Sequence, residues 1–183
     1  MKTLRLLRAS ATLICLGALA LAAGCNRTPQ PQLHDSMAQV VVPGSTTMWD
    51  VANRAINDNA EPDASKLTDA DWANLITASQ QVRDRALALA AQKHVVVADP
   101  MVKIQDEGGP GASNAKDVQA FIDAKPAVFS QQAKNLAAAA DGFLIAAKTK
   151  DAAKLAEVSD KLDGVCESCH LQFWYPQQAT QQP

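Results

Sequence analysis

No stretch of this 183-residue chain alternates apolar and polar residues convincingly, so the signature of a half-buried β-strand is missing and a sheet is not expected. Cationic residues are not in excess either. Seventeen Lys and Arg stand against 19 Asp and Glu, a formal charge of −2, and that balance lacks the electrostatic footprint of a nucleic-acid binder. The only histidines are His34, His94 and His170, and no acid–base pair or activated nucleophile can be read around them, which argues against an enzyme. The glycine cluster Gly108, Gly109 and Gly111 lacks the Lys-Ser/Thr of a P-loop and the spacing of a dinucleotide fingerprint, and reads as a plain loop. The apolar run from about Ala9 to Ala23 is too short and too rich in small residues for a good membrane span.

That run does have a purpose as a leader. Lys2, Arg5 and Arg8 precede it, and it finishes Leu21-Ala22-Ala23-Gly24-Cys25, which resembles a bacterial lipoprotein processing site. Residues 1–24 are therefore expected to be a signal peptide, with Cys25 carrying lipid. The alternative is an ordinary signal peptide cut nearby, leaving a soluble periplasmic protein. Removal takes three cations and no acid, so a formal charge of −2 becomes −5. Of the four cysteines, Cys15 leaves with the leader and Cys25 is lipidated. Cys166 and Cys169 have another use, so none is left for a structural disulfide.

After a tether at 25–32, the period is helical throughout 33–175, and residues 176–183 read as a flexible tail. A first helix carries Leu33, Met37, Val40 and Val41 on one face. It is kinked or broken near Pro43, resumes through Met48, Val51, Ala52 and Ala55, and fades near Asn59. A second starts at the N-cap Thr68 and runs to about His94, with Trp72, Leu75, Ile76, Ser79, Val82, Ala86, Leu89 and Ala90 in its stripe. Residues 95–112 form a long connection. The third helix begins near Ser113 or Asn114 and is kinked or split at Pro126. A turn at 149–151 leads to a fourth with Leu155, Val158, Leu162, Val165 and Cys169 inward. The expected fold is all-α, an antiparallel up-down-up-down four-helix bundle with kinks near Pro43 and Pro126.

Near the end of the fourth helix lies Cys166-Glu167-Ser168-Cys169-His170. C-x-x-C-H is the attachment signature of c-type haem. On a helix the three side chains sit at i, i+3 and i+4 and project from one face, so one flat group can take two thioethers and an iron–nitrogen bond together. Redox dithiols usually open a helix after a strand, and zinc needs more ligands than His34 and His94 readily supply. The bundle topology brings this end of the fourth helix beside the start of the first and beside residues 94–112. Met37 therefore ranks first as distal iron ligand. His94, Met101, His34 and an open sixth site are the alternatives. Met48, eleven residues further on and about 16 Å along the helix, is expected in the core.

These features resemble the class II cytochromes c, the four-helix-bundle monohaem proteins with C-x-x-C-H near the C-terminus. Phe173 stands where such proteins often carry an aromatic, and Met37 matches the position of the iron-ligating Met in six-coordinate members. Two departures are Leu33, where an Arg near a haem propionate is common, and Pro43 in the first helix. The resemblance implies one covalent haem c held by Cys166, Cys169, His170 and Met37. It implies single-electron exchange with redox partner proteins on the periplasmic side of a bacterial membrane, with pairing to a second copy left open. A five-coordinate protein that binds nitric oxide or carbon monoxide is the alternative, followed by a non-haem helical lipoprotein with a Cys/His metal site.

Overall fold

The computed structural model describes residues 30–178, so the expected leader, the lipidation of Cys25 and residues 179–183 lie outside the described residues. Among the described residues all regular structure is helical apart from one isolated antiparallel bridge, Ile56 to Pro62. An N-terminal rod consists of α1 (Leu33–Ser36), a π turn (Met37–Val41) and α2 (Val42–Arg54). It is followed by a short 3₁₀ turn (Ala64–Lys66), α3 (Asp69–Ala90), α4 (Ala115–Ala124), α5 (Pro126–Thr149) and α6 (Ala152–Phe173). None of these helices is long and apolar enough to cross a membrane.

The two prolines act differently. Inside a helix, proline lacks the N–H and crowds the carbonyl four residues back. At Pro43 the chain answers with the wider π turn immediately before it, closed by Val42 N–H to the Met37 carbonyl, and the helix continues. At Pro126 it breaks: Lys125 sits at φ −138°, ψ 51°, and α5 restarts with proline in its first turn, where no N–H is needed.

Helix starts follow their caps. Thr68 and Asp71 form a reciprocal capping box on α3, Asn114 accepts from Asp117 N–H on α4, and Asp151 accepts from Lys154 N–H on α6. α3 ends at Ala90, short of His94. The next residues leave the helix so that the Val96 and Val97 carbonyls can accept from Leu33 N–H and His34 N–H, each at 2.8 Å, the otherwise orphaned donors of α1. The rod likewise stops at Arg54 rather than near Asn59, because Asn57 takes Asn59 N–H and Glu61 N–H on its side-chain oxygen and turns the chain.

α2 packs on α3, α3 on α5, α5 on α6 and α6 on α2, with α4 against α5 and α6. Arg54 bonds Asp71 and Lys150 bonds Asp69, joining the end of α2, the start of α3 and the α5–α6 turn. The start of α1, residues 96–97, and the contact of Ser113 N–H with the Trp174 carbonyl join the opposite ends. Two apolar clusters fill the interior. The larger is centred on Met48, Leu75, Val82, Ala140, Phe143, Leu155 and Leu162. The smaller comprises Leu89, Val95, Val97, Val118, Ile122, Phe129, Ala133 and Phe173.

Candidate haem site

Cys166, Cys169 and His170 occupy the last turns of α6, all half-buried. Cys166 packs against the larger cluster and Cys169 against the smaller, so the motif lies at the seam between them. Beside that seam is a cavity of about 750 Å³, within the range of small-molecule and cofactor sites. Its α6 wall is Val165, Cys166, Cys169, His170 and Phe173, with Trp174 just beyond. The rod supplies the facing wall, including His34, Met37, Val41, Ser45 and Trp49. Leu89, Val118, Phe129, Ala133 and Leu136 make an apolar floor, and Val97, Lys103, Ile104 and Gln105 bring the long connection to the rim.

The π turn carries Met37 to this wall. Met37, Val41, Ser45 and Trp49 follow one another every four residues, a ladder along one face. Met48 is on another face, fully buried in the larger cluster. His94 is largely exposed and 3.7 Å from the Asp123 carboxylate, while Met101 is 94% exposed. Neither lines the cavity. His34 does, with Nδ1 at 3.1 Å from Asp35.

The thiols are not primed as nucleophiles. Burial pushes Cys166 up to about 11, with Asp163 adding to it, and Cys169 up to about 12, with Cys166 adding to it. They also stand at the C-terminal, negative end of a helix, the reverse of the setting that activates a redox dithiol. Burial lowers the His170 imidazole below its ordinary value, opposed by Glu167, which favours the neutral form that can ligate a metal. The ring is met edge-on by Trp174, with centroids 4.9 Å apart, and Tyr175 stacks on Trp174 while donating to Asp106 at 2.9 Å. Phe129 and Phe173 close the floor edge to face at 5.8 Å.

Among the described residues no group of three His, Cys, Asp or Glu side chains is arranged to hold a metal ion, so a zinc site built from Cys166, Cys169 and His34 or His94 has no assembled ligand set. The residues do fit a haem. Two thiols and one imidazole leave the same helix, a thioether stands on the facing wall, and the lining between is predominantly apolar. Comparison with protein-family models, curated proteins and solved structures finds no match. The glycine cluster is a loop: Gly108 and Gly111 adopt positive φ, and the N–H groups of Gly109 and Ala112 are used in turns to Asp106 and Gly109.

Sequence reasoning passed over Ser45 and the cavity-facing position of Trp49. The four-residue ladder that begins at Met37 is the signal that marks them.

Proposed function

We propose that the chain is a monohaem c-type cytochrome of the class II kind, an antiparallel up-down-up-down bundle that carries single electrons. It faces the periplasm and is tethered to a membrane through lipid on Cys25. The observation that carries this reading is the convergence of Cys166, Cys169 and His170 from α6 with Met37 from the rod on one largely apolar cavity. The ring of packing from α2 to α3, α5, α6 and back to α2 supports the topology, with ion pairs joining one end and backbone hydrogen bonds the other.

In this reading Cys166 and Cys169 would hold the haem through thioether links, and His170 and Met37 would ligate its iron. Haem, when bound, supplies a reversible one-electron couple. The chain does the rest. Phe129, Phe173, Leu136 and Val165 give the cavity an apolar lining, and a thioether at Met37 favours the reduced state relative to a second imidazole. Trp174 and Tyr175 brace the imidazole from its edge. Electrons pass to and from redox partner proteins; no substrate chemistry is proposed.

Absorption spectra of the purified, fully matured protein test this. A Soret-absorbing chromophore that survives denaturation, a low-spin ferrous spectrum and a ferric Met–iron band lost in Met37→Ala are expected. Absence of the covalent chromophore overturns the haem reading. High-spin ferric haem with ready carbon monoxide uptake replaces electron transfer by gas binding. Unchanged processing and membrane association in Cys25→Ser removes the anchor.

A further inference from the structure

Three buried side-chain polar atoms among the described residues have no hydrogen-bond partner: Ser45 Oγ, Trp49 Nε1 and Trp174 Nε1. All three belong to residues that line the one cavity described above. Buried polar groups are ordinarily paired, and each exception needs an explanation.

Ser45 is the most telling. Hydroxyls on helices commonly donate back to the carbonyl four residues earlier. Its neighbours do so, Thr46 to Val42 and Thr47 to Pro43, as does the equally buried Ser79 to Leu75. Ser45 is only 3% exposed and does not, which leaves its hydroxyl free on the cavity wall. One turn further along the same face is Trp49, whose indole N–H can only donate. Gln132, also on the lining, donates to Ser168 and accepts from Asn135, so a missing partner is not general among the polar side chains around this cavity. Two donors without acceptors, side by side on one helix, call for a ligand atom that accepts.

We infer that Ser45 and Trp49 form a carboxylate-anchoring end of the cavity, donating Oγ–H and Nε1–H to a propionate of the haem proposed above. The inference rests on that reading. It gives the propionate a neutral pair of donors from α2. Trp174, beside the His170 ring at the end of α6, is outside this pair.

The test uses the matured, ferrous full-length protein. Haem retention after denaturation is scored first, because its absence from the wild type overturns the haem reading and the anchor with it. With haem retained, the Trp49 indole N–H should exchange with solvent at least about 100-fold more slowly than an exposed indole. The propionate-bending band in the resonance Raman spectrum should shift in Trp49→Phe and in Ser45→Ala. That band should stay at the wild-type position in Ser45→Thr, which keeps the hydroxyl. An unmoved band in both Trp49→Phe and Ser45→Ala would mean that water alone meets the donors and overturns the anchor. A freely exchanging Trp49 indole in the wild type overturns it without any variant.

Discussion

Met48 and Met37 lie on the same rod, yet they inhabit two different kinds of interior. Around Met48 the side chains of Leu75, Val82, Phe143, Leu155 and Leu162 meet with almost no exposed surface. Around Met37 the same helices part to leave a cavity of about 750 Å³, rimmed by a long connection and lined by three unpaired polar atoms. Hydrophobic periodicity is common to both regions. What differs is polar residues on the inward ladder, a π turn and the Cys166–His170 motif on the cavity wall. One half of the interior is closely packed, and the other is left open as a cavity.

The strongest way to break this contrast is to remove the motif. Cys166→Ala with Cys169→Ala should abolish the denaturation-resistant Soret chromophore completely, as read by spectra in denaturant. In the closely packed half the effect should fall on stability instead. Met48→Ala should cost about 2–5 kcal/mol in urea unfolding, with the haem spectrum unchanged. A substitution that moves the spectrum from there would erase the division.

The closely packed half also depends on close helix approach. A Cβ at Gly44 would collide with Val82 Cγ2. Gly44→Ala should therefore cost about 1–3 kcal/mol despite the better helix propensity of alanine, and Val82→Ala should recover part of it. Such recovery is the non-additivity expected of touching residues. Thr68→Ala, which removes half of the capping box on α3, should cost about 1 kcal/mol by the same measurement.

The smallest effect is acid sensitivity. Asp71 is held down to about 2, first by Thr68 N–H, then by its hydroxyl and Arg54. Glu157 is held down to about 2 by Lys161 and Lys154. Both carboxyls bind protons less readily folded than unfolded. Their contribution is thus fully present above pH about 4.5 and fades as pH falls towards 2. Urea unfolding across that window should show the loss, reduced in Asp71→Asn and unaccompanied by spectral change.

Much of the fold was legible because its signals are local. The caps at Thr68 and Asn114, the break at Pro126 and the stripe from Trp72 to Leu89 each depend on neighbours a few residues away. That Cys166, Cys169 and His170 share one wall was legible because i, i+3 and i+4 on a helix lie on one face. Ser45 and Trp49 escaped because a serine and a tryptophan on a helix have ordinary explanations, and only the three-dimensional census of partners distinguishes them. The end of α3 at Ala90 was missed for a related reason. It is dictated by donors at Leu33 and His34, some 60 residues away in sequence.

The π turn decides where the rod can change length. Successive residues of an α-helix are rotated by about 100°, and the wider turn before Pro43 takes up one residue without passing that rotation on to α1. Deleting one residue from 38–41 would therefore leave regular helix with α1 and α2 in nearly their present phase. Deleting one from the regular helix that follows would instead swing the preceding turns, with His34, through about 100° and away from the Val97 carbonyl that receives its N–H. The π turn is thus where the rod can be shortened while the segment before it keeps its direction.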